Sequence, residues 1–287
     1  MKLLRHGPKG HARPGLLDAQ GQVRDLSALM PDITTATLSP AGLAALASVD
    51  VSTLPVVPQG ELQVPWTGMG KFICIGLNYS DHAAETGAPI PKEPIIFMKP
   101  TSVAVGCNHD VVLPQGSVKS DWEVELGVVI GSTARYVSEA DALKHVAGYC
   151  VVNDVSEREY QIERGGTWDK GKGCDTFGPV GPWMVTADEV GDPQNLAMWL
   201  EVNGHRWQNG STKTMIFGVA QLVSYVSRFM SLYPGDLITT GTPPGVGLGA
   251  KPNPVFLKPG DVMRLGIEKL GEQQQSVYAW DPARIDA

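Results

Sequence analysis

Glycine and proline interrupt this chain too often for any long regular element. The 33 glycines and 22 prolines make up about a fifth of its 287 residues, against roughly 12% in an average protein. Glycine supplies the positive φ of tight turns, and proline removes a ladder donor and fixes φ. Between these breaks lie short apolar runs such as KFICIGLNY, VELGVVIG and VAGYCVVND. A bundle of long helices is excluded, and short strands joined by turns remain. Hydrophobic residues at 43% and charged residues at 18% exclude a disordered chain. For a chain of 30.7 kDa, surface scaling gives roughly 12,000 Å² folded against about 44,000 Å² unfolded. That is enough burial for a core without covalent staples.

The formal charge of -7 argues against a nucleic-acid partner, which needs a basic face to displace counterions from phosphates. Cys74, Cys107, Cys150 and Cys174 are widely spaced with no CxxC pair, so neither a zinc knuckle nor a disulfide framework is indicated. The basic N-terminal stretch lacks the apolar segment of a secretory signal, and no run approaches the ~18 residues of a membrane helix. A cytoplasmic protein is expected.

Residues 1–66 differ in texture from the rest and are expected to form a small N-terminal domain, with 67–287 as the catalytic domain. MKLLR and PGLLDAQGQVRDLSALM read as short strands about a turn at Asp18–Gly21, SPAGLAALASVD as a helix started by Ser39 with Pro40 at its first position, and TLPVVPQGELQVPWTGMG as a linker. Further on, Asn203-Gly204 suits a type I′ hairpin turn, and two PGD turns, at Pro234 and Pro259, each open a β-rich run. Ser138 and Asp141 bracket a capping box. Val219, Leu222, Val223, Val226, Phe229 and Met230 fall at helical spacing and predict one amphipathic helix. The expected class is α+β, mostly β.

Several residues could carry chemistry. In Asp121-Trp-Glu123-Val-Glu125 the two glutamates occupy i and i+2 of a strand and share one face. Such a face can simply be solvated, or a cation can relieve the repulsion. Asp154 closes an apolar strand, where a lone carboxylate is costly unless paired or coordinated. With a capped helix in between, the chain can return beside the first strand. Three carboxylates at neighbouring strand ends form an all-oxygen set suited to Mg²⁺, Mn²⁺ or Ca²⁺ rather than zinc. His82 and Glu85 stand at i and i+3 of a helical turn, so the carboxylate can hold the imidazole as a general base, or both can belong to an exposed first turn. Lys170-Gly-Lys172-Gly offers a lysine to an oxyanion but is not a dinucleotide fingerprint, and GTPPGVGLGAK fails the phosphate-loop spacing. Arg158 and Gln161 can face the site or solvent.

Six segments together resemble the fumarylacetoacetate hydrolase superfamily: LNYSDHAAE, IIFMKPTS, DWEVELGVVIG, NDVSEREYQ, DKGKGCDTFGPVGPW and PGDLITTGTPPGVG, in that order. The resemblance covers about residues 71 to 270. It implies a mixed β-sandwich roll, a homodimer, and one Mg²⁺ or Mn²⁺ held by Glu123, Glu125 and Asp154. It also implies a catalytic His82–Glu85 dyad on a lid turn, an active-site Lys172, and substrate contacts from Arg158, Gln161 and Thr242. The implied reaction is hydrolysis of a C–C bond in a 2,4-diketo acid. The texture of the whole chain looks like a bacterial subgroup acting on 2,4-diketo-3-deoxy-L-rhamnonate or L-fuconate, which yields pyruvate and L-lactate. Rival expectations are an acylpyruvate hydrolase, an oxaloacetate decarboxylase, a dienoate hydratase, or a β-sandwich that binds sugar acids without turnover.

Overall fold

A computed structural model describes residues 1–87 and 89–285; the last two residues of the expected catalytic domain lie outside the described residues. The longest apolar runs form the strands Val124–Ile130, Val146–Asn153 and Gly178–Thr186, the first two buried along their whole length. Strands covered on both faces need no polar alternation, which is why these segments read as continuous apolar sequence. They pair antiparallel near the middle of a twelve-stranded sheet. Beyond Val124–Ile130 the sheet continues through Leu237–Thr239, Phe72–Gly76 and Ile95–Lys99. A second, five-stranded sheet comprises His205–Ser211, Ala197–Val202, Val262–Ile267, Gly271–Tyr278 and Val111–Val112, in that order.

The period-two pattern of the central strand divides the interior. Leu126, Val128 and Ile130 pack in one cluster with Met198, Leu200, Met263 and Leu265 of the second sheet. Val129 faces the other way, with Cys150, Val152 and Leu237, and is covered by Leu26, Ile33, Leu38, Leu46 and Trp66. The accessible surface is 11868 Å². With 33% strand and 21% helix, the chain has the strand-rich α+β character expected of it.

Local sequence signals account for the punctuation. Ser39 accepts a hydrogen bond from the Gly42 N–H and starts the helix Pro40–Ala47. Asn203 and Gly204 have φ of 52° and 78°, the two positive angles of a type I′ turn. Gly235 and Gly260, φ 86° and 94°, turn the chain into Leu237–Thr239 and Val262–Ile267. The amphipathic helix is shorter than its pattern: it spans Val219–Val226 and ends where Ser227 donates its hydroxyl to the Ser224 carbonyl. Phe229 lies beyond that end, 62% exposed, with its ring against Tyr225. The chain continues as a turn, with the Phe229 and Met230 N–H groups still bonded to the Val226 carbonyl, so the helical spacing outlasts the helix.

Residues 1–66 change in texture at Trp66, yet their strands continue the large sheet. Lys2–His6 pairs antiparallel with Gly178–Thr186, and Arg13–Leu17, Val23–Asp25 and Val56–Val57 extend the edge. Trp66 is buried and donates its indole N–H to the Gly235 carbonyl at 2.9 Å. Among the described residues, no helix is long and apolar enough to cross a membrane. Because Leu3, Leu16, Leu38 and Leu46 share one cluster with Cys74, Val129 and Val180, removing residues 1–66 would expose that whole face. A chain beginning at Thr67 is expected to be insoluble or to lose its cooperative thermal transition in calorimetry. A truncated chain that melts within about 5 °C of the full one, less than the shift ~2 kcal/mol makes at this size, would contradict the shared core.

Candidate active site

A break in strand pairing creates the site. Ser120–Asp121 pairs with Ser156–Glu157, and Val124–Ile130 pairs with Val146–Asn153. Between the two ladders, Trp122-Glu123 stands opposite Asp154-Val155, tied by the Asp154 N–H to the Glu123 carbonyl at 2.9 Å. The strand expected across this sequence is thus interrupted, and the interruption brings the Glu123 and Asp154 side chains together. Glu125 is on the adjoining ladder, opposite Val152. Carboxylate oxygens of Glu123, Glu125 and Asp154 all lie within 4.8 Å of one another, and the three residues are 6%, 1% and 0% exposed.

Three cations face this acidic group. The Lys172 ammonium bridges Glu123 at 2.7 Å and Asp154 at 2.8 Å. The Arg158 guanidinium reaches Glu123 at 2.7 Å and Asp121 at 2.8 Å, and donates to the Gln161 amide oxygen at 3.0 Å. Lys99, fully buried, stands 2.7 Å from Asp154 Oδ1. Its hydrogen bonds, however, go to the carbonyls of Val155, Lys172 and Phe177. Asp154 Oδ1 therefore has a charge beside it but no aligned donor, and it is a buried acceptor without a hydrogen bond. Burial alone would push Glu123 up, but Lys172 and Arg158 outweigh it and hold its carboxyl at about 2. Lys172 is pushed up despite its burial by Asp154 and Glu123. Glu125 goes the other way: burial, then Asp154 and Glu123, raise it well above the usual carboxylate range.

These residues fit a hard divalent ion. Six-coordinate magnesium holds oxygens at about 2.1 Å, so its ligand atoms lie roughly 3 to 4 Å apart. An oxygen from each of the three carboxylates lies within 4.8 Å of the others, and Asp154 Oδ1 lacks a donor, so a small inward shift would complete that spacing. The donor set is all oxygen, which favours Mg²⁺ or Mn²⁺ over softer metals.

The His82–Glu85 pair sits on the short helix Ser80–Thr86, reached from the end of strand Phe72–Gly76. Leu77 adopts φ 49°, uncommon for a leucine, and turns the chain out of the sheet. Asn78 then fixes the turn, donating to the Phe217 and Thr240 carbonyls and accepting from the Phe217 N–H. His82 Nδ1 lies 3.0 Å from Glu85 Oε2. Because an ionised carboxylate only accepts, Nδ1 carries the proton and Nε2 the lone pair. Glu85 is held in turn by the Gly245 N–H at 3.1 Å. The loop carrying Gly245 also supplies the Gly241 N–H to Glu125 at 3.0 Å. Thr242, on the same loop, donates its hydroxyl to the Val124 carbonyl and accepts from Gln208.

His82, Glu123, Glu125, Arg158, Gln161, Lys172 and Thr242 line one cavity of about 240 Å³, while Asp154 lies beneath it and Glu85 behind His82. That volume suits a small organic acid, being below the roughly 300–1,000 Å³ of drug-sized sites. Its remaining walls are apolar and include Phe97, Trp168, Ile162 and Leu248. Gln161 and Ile162 sit on a π-helical turn, Glu159–Glu163, a rare geometry that often marks functional positions. Gly171 lets the helix Asp169–Lys172 dock there, since a Cβ would fall 2.2 Å from the Glu157 carbonyl oxygen.

Sequence reasoning passed over Asp121 and Lys99. Asp121 is fully buried and accepts from Arg158 and from the N–H groups of Gly247 and Leu248, so it joins the guanidinium to a loop more than a hundred residues away. Lys99 ends the apolar strand Ile95–Lys99. The reasoning applied to Asp154, that a lone charge closing an apolar strand must be paired, applies to it equally.

Comparison with known proteins agrees with this geometry. Residues 71–278 match the model of the fumarylacetoacetate (FAA) hydrolase C-terminal family. A Burkholderia lata protein described as a hydrolase, with no substrate given, is 65% identical over 96% of this chain and 98% of its own. Among solved structures, a fumarylacetoacetate hydrolase from Exiguobacterium antarcticum is 35% identical over 98% of this chain and all of its own, with a TM-score of 0.85. Maleylpyruvate hydrolase from Sphingobium sp. SYK-6, solved with manganese(II) and pyruvate, is 29% identical with the same coverage and a TM-score of 0.81. A 2-hydroxyhepta-2,4-diene-1,7-dioate isomerase from Mycobacterium marinum is 31% identical over 97% of this chain and 98% of its own, TM-score 0.73. With an acidic triad, a buried lysine and a histidine–glutamate pair around one small cavity on this fold, the chain belongs to the fumarylacetoacetate hydrolase family.

Proposed function

We propose that the protein is a cytoplasmic, homodimeric hydrolase that requires Mg²⁺ or Mn²⁺ and cleaves a C–C bond of a 2,4-diketo acid. The substrate we favour is 2,4-diketo-3-deoxy-L-rhamnonate or its L-fuconate counterpart, giving pyruvate and L-lactate. The observation that carries this is the placing of the His82–Glu85 pair on the wall of the cavity whose floor holds Glu123, Glu125 and Lys172. A binding protein needs the carboxylates but has no use for an oriented imidazole. The maleylpyruvate hydrolase solved with manganese and pyruvate supports both the ion and the product.

Glu123, Glu125 and Asp154 would hold the ion, which supplies Lewis acidity toward the carboxylate and 2-keto oxygens of the substrate. His82, kept in one tautomer by Glu85, takes a proton from water at Nε2. The hydroxide oxygen bonds to the C4 carbonyl carbon. The C3–C4 bond breaks, its electron pair leaves as the enolate of pyruvate, and C3 recovers the proton from His82. Lys172 balances negative charge as it develops, and the apolar walls limit access of other water. One water is consumed, and two carboxylic acids leave.

Decarboxylation of oxaloacetate needs the ion but no activated water, and an isomerase moves a proton without hydrolysis. Replacing His82 by Asn is expected to lower kcat for diketo-acid hydrolysis by about 10²- to 10⁴-fold and to leave KM nearly unchanged. Any oxaloacetate decarboxylation should persist within a few-fold, with pyruvate followed by coupled NADH oxidation. Equal loss of both activities, or loss of neither, would count against the dyad.

Metal binding should release protons. Because Glu125 is raised above its ordinary range in the folded chain, its carboxyl stays protonated to higher pH than a free glutamate. An ion needs the carboxylate, so metal affinity rises with pH and levels off above the Glu125 pKa. Calorimetric titrations of Mn²⁺ in buffers of different ionisation enthalpy should show proton release on binding that falls off as pH rises. No proton release, with affinity independent of pH, would be the contrary result. EDTA should abolish pyruvate formation, and either ion should restore it.

A further inference from the structure

The cavity is polar at depth and apolar at its mouth. Every polar side chain on its wall is buried: His82, Glu123, Glu125, Arg158, Gln161, Lys172 and Thr242 are all no more than 7% exposed. Its partly exposed side chains are Leu77, Ile162, Trp168 and Leu248, all apolar. Ile162, 53% exposed, adds an aliphatic side chain to that mouth. Trp168 is fixed in place: its ring meets Phe97 edge-on at 5.3 Å and rests on Gly76, where a Cβ would fall 2.4 Å from the ring.

The cations are equally one-sided. Arg158 and Lys172 both contact the acidic group at the floor. The cations that flank Ile162 and Trp168 in the chain do not line the cavity: Arg164 pairs with Glu159 at 2.6 Å, and Lys170 donates to the Arg164 carbonyl. A diketo acid must place its first carboxylate at the floor, beside the ion and Lys172. Its distal acyl group then lies against Leu77, Ile162, Trp168 and Leu248. A second carboxylate there would lie against apolar side chains, partly stripped of water, with no cation of the cavity wall beside it.

We infer that this site selects 2,4-diketo acids whose distal acyl group is uncharged, and rejects those carrying a second carboxylate at that end. The inference rests on the hydrolase assignment above and narrows it. A lactoyl group, small and neutral, satisfies this rule. Gln161, whose amide oxygen is taken by Arg158, has an amide NH₂ to offer its hydroxyl. The rule sets this chain apart from structural relatives whose substrates are named as dioates.

Two compounds of equal length test it: 2,4-dioxoheptanoate, and 2,4-dioxoheptanedioate, which differs by a terminal carboxylate. With saturating Mn²⁺, kcat/KM for the dioate should be at least about 100-fold lower, as for a site that leaves a buried polar group unpaired. Ile162→Arg, a half-exposed position where folding should be retained, should narrow the ratio at least tenfold by supplying the missing cation. Equal kcat/KM for the two compounds would overturn the selection while leaving the hydrolase assignment intact. Release of pyruvate from neither would overturn the hydrolase assignment and the selection with it. A ratio unmoved by Ile162→Arg in a variant of unchanged melting temperature would also count against the rim as its cause.

Discussion

The burial of like charges at a broken strand governs this structure. Glu123, Glu125 and Asp154 are held within 4.8 Å of one another in the interior, an arrangement that costs several kcal/mol per unpaired ion. The fold offsets that cost with Lys172, Lys99 and Arg158, each placed by a different segment. Glu125 is reached by the Gly241 N–H and, among the described residues, by no ion pair. Its raised affinity for a proton comes first from burial and then from Asp154 and Glu123. A divalent ion at this position would relieve that repulsion.

The surrounding architecture keeps these charges in place. The central strands are buried on both faces, one of them against the second sheet, so packing on either side fixes the broken ladder. Segment 1–66 closes one of those faces, although its sequence texture suggests a separate unit. The loop from Gly241 to Gly249 links the halves of the site, since its N–H groups bind Glu125, Glu85 and Asp121. The acidic floor and the histidine–glutamate wall are thereby fixed relative to one another, as the proposed reaction requires of groups that would hold substrate and activate water.

Much of the site was legible in the sequence because its signals are local. Side-chain alternation put Glu123 and Glu125 on one face, the apolar run before Asp154 made that carboxylate conspicuous, and i, i+3 spacing paired His82 with Glu85. Lys172 took its place only through family resemblance, since a lysine among glycines has no intrinsic direction. Asp121 and Lys99 were missed for a different reason: besides Arg158 and Asp154, they bind backbone groups of distant segments, which no spacing rule brings together. The amphipathic helix was drawn one turn too long because hydrophobic spacing continues into the turn that follows it. The N-terminal boundary followed composition, while the strand pairing of Lys2–His6 is a long-range contact without a local signature.

The central claim is that three acidic side chains converge to bind one hard divalent ion. Anomalous diffraction from a crystal soaked in Mn²⁺ tests it most directly. The account predicts a single strong peak per chain within about 2.3 Å of an oxygen from each of Glu123, Glu125 and Asp154, with Lys172 drawn away from at least one of its carboxylate partners. No peak at that position, with Lys172 still bridging Glu123 and Asp154 at millimolar Mn²⁺, would contradict it.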